Sequence, residues 1–235
     1  MTIIQSASHS PSFNLATEEY LFSQRTDEIL FLYVNESCVV VGKNQDVQLE
    51  VDVDYCSAQN IPVFKRISGG GTVYHDKGNI NYCFISNRIQ GESPLKADFL
   101  QPIVKVLIDL GIEVLIGKRQ DLWLPGGFKI SGTAAHVGKN RMLHHGTLLY
   151  DADLEKLEKS LSPKAVEKTS RAIASVPSPV LNIRTYLNTK NLSAPTTETF
   201  FEMFTLKLAN MYNQSSVTML CPEEISLIEP VTVVV

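Results

Sequence analysis

Long apolar runs are missing from this chain. No stretch of about 18 apolar residues occurs in its 235 positions, so the sequence offers no membrane-spanning helix. The amino-terminal MTIIQSASHSPSFN has neither the basic nor the apolar region of a signal peptide. Cysteine is sparse: Cys38, Cys56, Cys83 and Cys221 lie far apart, with no CxxC pair. Reduced thiols in a cytoplasmic protein are expected, with no structural zinc site. An excess of charge is missing too, since 21 Lys and Arg against 25 Asp and Glu give a net charge of −4. That balance lacks the basic stripe of a nucleic-acid binder. The sequence shows no internal repeat, no low-complexity tract, no Gly-Lys-Ser/Thr phosphate loop and no G-x-S-x-G elbow. The remaining composition is that of an ordinary globular protein, of a length suited to one large domain.

Periodicity supplies the elements. SPSFNLATEEYLFSQ carries Leu15, Ala16, Glu19 and Tyr20 at helical spacing, with Ser12 or Asn14 available to cap its entry. ILFLYVN and CVVVGKN are β-rich runs separated by ESC and read as a hairpin. IPVFKRI and GNINYCFIS read as strands on either side of a glycine-rich stretch. KADFLQPIVKVLIDLGI sets Phe99, Ile103, Val106, Leu107 and Leu110 on one helical face and ends at Gly111. EVLIG, DLWL, FKISGTAAHV and HHGTLLY read as short strands. DADLEKLEKSL begins with a capping Asp153, has a stripe of Leu154, Leu157 and Leu161, and pairs Glu155 with Lys159. A Ser-, Pro- and Ala-rich loop follows over about 162–179. A last helix aligns Phe200, Phe204, Leu208 and Met211, and VTVVV is strand-like. Strands and helices mix without regular βαβ alternation, which predicts an α+β fold.

The chemistry concentrates in FKRISGGGTVYHDKGNINYCF. Consecutive glycine amides form a concave nest for anions, because no side chain blocks the approach. Arg66 before the turn and His75 after it can add charge-assisted bonds to the same anion. The competing reading is a glycine-rich turn with solvated charges. In the second segment, RQDLWLPGGFKISGTAAHV, Lys129 sits among strand residues before a Ser131-Gly132-Thr133 turn. It is either a point cation for phosphate or carboxylate, or an edge-strand lysine facing solvent. Asp121 can hold magnesium or cap a turn. His144 and His145 are adjacent, so on a strand they face opposite sides and at most one enters a shared site. Cys83 reads as a buried strand cysteine.

KRISGGGTVYHDKGNINYCF resembles the RR-x-x-GGG-x-V-x-HD-x-GN signature of the lipoate–protein ligase A family. FNLATEEYLF, LYVNESCVVVGKNQ and GKRQDLWLPGGFKISGTAAHVGKNRMLHHGTLLYDADLEKLEKSLSP match further family segments in order, covering roughly 12–185. The resemblance implies a biotin/lipoyl ligase-type catalytic domain with a mixed, largely antiparallel sheet flanked by helices. It implies two steps: ATP and lipoate give lipoyl-adenylate, then a lysine of an acceptor lipoyl domain takes the acyl group. Acceptors in the family are lipoyl domains of 2-oxoacid dehydrogenase E2 subunits or the glycine cleavage H protein. Carried onto this chain, Arg66 and the turn of Gly69, Gly70, Gly71, Thr72, Val73 and Tyr74 line the ATP site. Lys129 is the catalytic cation touching both nucleotide and lipoate. His75, Asp121 and His145 match other signature positions, with Asp121 the candidate ligand for Mg2+. Val73 and Phe84 are candidates for an apolar acyl tunnel.

Three departures stand out. Lys65 replaces the first signature arginine, and Pro177 stands where a downstream element has another. The chain also ends at Val235, where many family members continue into an accessory carboxyl-terminal domain. A single catalytic domain over 1–235, with a tail from 186 and a possible separate accessory protein, is the expected organisation. Two alternatives remain: ATP-independent octanoyl or lipoyl transfer, which in related enzymes needs a cysteine thioester, and a silent lipoate or nucleotide binder. GKRQDLWLPGGFK and SLSPKAV contain no cysteine where the transferases carry one.

Overall fold

A computed structural model describes residues 1–88, 97–163, 173–213 and 217–235. In chain order it forms β1 (Thr2–Gln5), α1 (Pro11–Gln24), β2 (Ile29–Val34), β3 (Cys38–Val41), α2 (Val47–Glu50), α3 (Val53–Ala58), β4 (Val63–Lys65), β5 (Val73–His75) and β6 (Asn79–Asn87). There follow α4 (Gln101–Asp109), β7 (Leu115–Ile116), β8 (Leu122–Leu124), β9 (Phe128–Ser131), β10 (Thr133–Val137), β11 (Arg141–Leu149) and α5 (Leu154–Ser160). The remaining helices are α6 (Ile183–Thr189), α7 (Thr197–Met211) and α8 (Pro222–Ser226). The main sheet runs β1-β2-β6-β11-β10, and two three-stranded sheets run β4-β3-β5 and β7-β8-β9. Only β1 with β2 and β3 with β4 pair in parallel among the named strands. The fold is therefore α+β, mixed and largely antiparallel, as the sequence suggested, but divided among three sheets.

Side-chain alternation along β6 explains the layering. Ile80, Tyr82 and Phe84 face one core with Val106, Leu107, Phe200, Phe204 and Leu208 from α4 and α7. Cys83 and Ile85 face the other, under Leu21 of α1 and beside Phe31 and Leu143. Both faces of β6 are covered, so its sequence reads as a nearly continuous apolar run. The stripe of α7 matches expectation, with Phe200, Phe204 and Leu208 buried. Asp153 caps α5 by accepting from the Lys156 N–H at 2.9 Å, and Gly111 ends α4 at φ +82°.

Three expectations change. ILFLYVN and CVVVGKN are not a hairpin, because β2 lies between β1 and β6 while β3 begins a second sheet with β4 and β5. Helix α1 is capped by Ser10, whose hydroxyl faces the Phe13 N–H at 3.5 Å. Asn14, considered as a cap, is instead wholly buried against the core side of that helix. The VTVVV tail, read as strand-like, forms no named strand, although Val234 N–H donates to Val63 O of β4 at 2.8 Å. Of the predicted 162–179 loop, residues 164–172 lie outside the described residues.

Candidate active site

The β4–β5 connection is shaped by one buried cation. Arg66 Nε donates to Ser68 Oγ at 2.9 Å and Nη1 to Val40 O at 3.0 Å. Its Nη2 donates to Gly69 O at 2.6 Å and Gly71 O at 2.7 Å. Arg66 thus holds the glycine turn by its own carbonyls, and burial pulls its pKa down to about 10. Gly70 has φ +83°, and a Cβ there would lie 3.0 Å from Ala134 Cβ, so backbone conformation and space both call for glycine. Among the described residues Lys65 Nζ bonds only Gln45 O, at 3.2 Å. A single bond to a carbonyl needs no bidentate fork, which explains how lysine serves where the signature has arginine.

A second chain of contacts braces the turn from α1. Tyr33 donates to Glu18 Oε1 at 3.0 Å, Glu18 Oε2 lies 2.8 Å from His145 Nδ1, and His145 Nε2 lies 2.7 Å from Ser68 Oγ. Glu18, Cys83 and His145 have metal-ligand spacing, within 4.8 Å of one another. Burial and the neighbouring Glu18 push the Cys83 thiol well up, so the thiolate a metal needs is disfavoured. The group reads as a hydrogen-bonded strut. His144, on the opposite face of β11, stacks on Phe99 at 5.2 Å, which bears out the expected alternation.

The opposing wall comes from β8 and β9. Lys129 Nζ stands 3.4 Å from Asp121 Oδ2, and Arg119 Nη2 stands 3.6 Å from the same oxygen. Burial lowers the Lys129 pKa, opposed by the charge of Asp121. The Asp121 pKa is pushed up by burial, but a bond from Trp123 and the charge of Lys129 outweigh this, leaving a net lowering. The segment 173–181 closes the space between the walls. Lys129 N–H donates to Pro179 O at 2.8 Å, while Ser175 Oγ accepts from the Thr72 N–H at 3.1 Å and from Gln45 Nε2 at 3.0 Å. Gln45 Oε1 also accepts from the Thr72 hydroxyl at 2.8 Å, so one amide ties the turn to the segment above it.

Two cavities result. The first, about 370 Å³, includes Leu15, Tyr33, Val40, Arg66, His75 and His145 in its wall. The second, about 700 Å³, includes Tyr74, Leu149, Leu157 and Pro177. Lys129, Thr72 and Val73 border both.

The structure brings together Arg66, Gly70, Gly71, Thr72, Val73, His75, Asp121, Lys129 and His145 around the first cavity, and Tyr74 at the second. Gly69 lines neither described cavity and serves the turn through its carbonyl. Phe84 is not a tunnel residue: it is 1% exposed and packs in the core against Tyr82 and Phe99. Glu18, Asn35, Gln45, Ser68, Arg119 and Ser175 escaped the sequence reading. For Glu18 the signal was a carboxylate on the apolar face of a helix; the other five carry no local pattern.

The model of the Lipoyl protein ligase A/B catalytic domain family matches residues 10–209. Lipoate–protein ligase 1 of Staphylococcus aureus is 41% identical over 180 residues, covering 76% of this chain and 55% of the relative. Lipoate-protein ligase LplJ of Bacillus subtilis is 36% identical over 184 residues, covering 77% and 55%. The chain thus spans about half the length of these curated relatives. Among solved structures, a lipoate-protein ligase A bound with ATP superposes with a TM-score of 0.77 at 20% identity, covering 97% of this chain and 92% of that one. A bi-partite lipoate protein ligase from Thermoplasma acidophilum, described with its E2 lipoyl domain, gives 0.76 at 23% identity, covering 97% and 91%. The structures establish the shared fold; with the family match over most of its length, the chain belongs to the lipoyl protein ligase A/B catalytic domain family.

Proposed function

We propose that this chain is a lipoate–protein ligase catalytic domain, which activates lipoate with ATP and passes the lipoyl group to a lysine of an acceptor lipoyl domain. The observation that carries the reading is Lys129 standing on the border of two cavities. A reaction that joins the carboxylate of one substrate to the α-phosphate of another calls for a cation between them.

In the first step a lipoate carboxylate oxygen attacks the α-phosphorus, and the bond to pyrophosphate breaks with its electron pair leaving on pyrophosphate. Lys129 offsets the charge that gathers between two anions. Between described residues the Gly70 and Gly71 amides have no hydrogen-bond partner, and a phosphate oxygen completes them. In the second step the neutral acceptor amine attacks the acyl carbon, AMP leaves with the electron pair of the broken acyl–phosphate bond, and the amine gives up one proton to the departing AMP or to solvent. Asp121 would hold magnesium if phosphate oxygens drew Lys129 and Arg119 from it, and the ion would supply charge neutralisation.

The names of the relatives support lipoate as the acyl substrate, and the ATP-bound structure supports the nucleotide. The Thermoplasma pair, a ligase with its E2 lipoyl domain, supports a lipoyl-domain acceptor. Against the thioester rival, no cysteine lines either cavity among the described residues. No described helix is long and apolar enough to cross a membrane, and we place the reaction in the cytoplasm. The test is release of pyrophosphate that requires lipoate and ATP together, run with and without a small accessory protein from the same source. Octanoyl transfer between carrier proteins without ATP would overturn the proposal.

A further inference from the structure

We infer that Arg119 holds the two outer phosphates of the nucleotide as they leave together as pyrophosphate, and that the open groove beside it is where this product emerges. The ligand rests on the ligase reading; the availability of the cation is read from geometry.

The turn between β7 and β8 carries Arg119 on a fixed backbone. Gly117 N–H donates to Asp121 O at 2.8 Å, and Gln120 N–H donates to Gly117 O at 3.0 Å. The Gln120 carbonyl accepts from the Thr133 hydroxyl at 2.7 Å, which ties the turn to β10. The Arg119 side chain is held far less. Its Nη2 lies 3.4 Å from Ser178 Oγ and 3.6 Å from Asp121 Oδ2. Nε and Nη1 make no hydrogen bond among the described residues. The side chain is 48% exposed, so its planar fork of donors is open to a ligand.

Charge points to a phosphate chain. Lys129 Nζ stands 3.4 Å from the same Asp121 Oδ2, and that oxygen has no hydrogen-bond partner among the described residues. Two cations thus share one carboxylate, which leaves a positive surplus at this end of the first cavity. A single carboxylate ligand calls for one cation, whereas successive phosphates call for more. In the proposed reaction Lys129 serves the junction of carboxylate and α-phosphate. Arg119 borders the first cavity and also lines an open groove of about 460 Å³, together with Lys118, Asp121, Trp123 and Gly126. Arg119 and Asp121 are the residues that border both spaces, and Lys129 does not line the groove. Arg119 therefore stands between the reacting junction and solvent.

The bond changes of the first step need a cation there. As the carboxylate oxygen bonds to the α-phosphorus, the bond from that phosphorus to the bridging oxygen breaks. Its electron pair stays on that oxygen, so pyrophosphate gains one negative charge and no proton has to move. A guanidinium, always charged, can donate to two of its oxygens at once and offset the charge as it builds. Arg119 gives up only two long contacts to do so.

Inorganic pyrophosphate titrated into the ligand-free chain reads this contact directly. Arg119→Ala should weaken its binding about tenfold, and Arg119→Lys, which keeps the charge without the fork, should recover only part of the loss. No binding by the wild-type chain, or equal binding by Arg119→Ala, overturns the assignment. An equal loss in Lys118→Ala overturns it too, because diffuse charge would then suffice. The two half-reactions are next read apart. In Arg119→Ala, pyrophosphate release from lipoate and ATP should fall about tenfold or more. Transfer from synthetic lipoyl-adenylate to an acceptor lipoyl domain involves no pyrophosphate and should keep its rate. Release at the wild-type rate overturns the proposal. So does a loss confined to transfer, which places Arg119 against the acceptor, or a loss shared by both steps, which makes it structural. If the wild-type chain releases no pyrophosphate with or without the accessory protein, the ligase reading fails by itself, and the titration still decides whether Arg119 binds pyrophosphate.

Discussion

The two walls of the site hold their cations in opposite ways. Arg66, on the glycine-turn wall, is buried and commits four hydrogen bonds of 2.6–3.0 Å to its own chain. Lys129, across the cavity, has one loose ion pair at 3.4 Å, and Arg119 beside it is about half exposed. The first cation is structural and shapes the turn whose amides are proposed to meet a phosphate. The second is only lightly held, so phosphate or carboxylate oxygens can capture it without dismantling the fold. A cation's worth to a ligand depends on what it has already bonded.

That contrast can be broken from either side. Lys129→Ala should cut lipoate- and ATP-dependent pyrophosphate release by about 10²–10³-fold, the scale for losing one preorganised charge-stabilising group, while the melting temperature stays unchanged. Arg66→Met should do the reverse in kind, lowering unfolding free energy by about 3 kcal/mol in a denaturant titration because buried carbonyls lose a charged donor. If Lys129→Ala proves the more destabilising of the two, the division between walls is wrong. Gly70→Ala should cost about 1–2 kcal/mol through its left-handed backbone, with Ala134 crowding it as well.

Two smaller effects sharpen the comparison by pH. Asp121 favours protonated Lys129, so in Asp121→Asn the alkaline limb of the rate profile should move to lower pH. An unmoved limb means that Lys129 is not the group titrating. On the turn wall, His75 titrates near pH 3 when folded, against about 6.5 ordinarily. Between those values the unfolded chain binds the extra proton, so folding stability falls as pH drops from about 6.5 toward 3. His75→Gln removes that contribution and should make melting temperature less sensitive to acid over this window, with the lowered His144 still contributing.

Much of the site was legible because its chemistry is written contiguously. KRISGGGTVYHD places cation, turn and histidine within one connection, and FKISG presents Lys129 beside its small-residue turn. The α7 stripe and the Asp153 cap were legible because helical period and capping are local. The pairing of β2 and β3 was not: three residues separate them, which reads as a hairpin, yet each finds its partners elsewhere in the chain. Nor could spacing reveal that Arg66 serves the turn rather than an open anion site, since Val40 O lies 26 residues away.

The sequence alone determined the α+β class, the glycine turn, the strand that carries Lys129 and, through its motifs, the family. These follow from local propensity and from residue types that few chemistries share. Only the tertiary structure decided which polar groups are already satisfied. It spent Arg66 on carbonyls, set Lys129 between two cavities, and left one nitrogen of His75 bare of partners among the described residues. The physical reason is that a hydrogen bond is specified by the positions and directions of both partners, and those become defined only when distant strands and helices have packed.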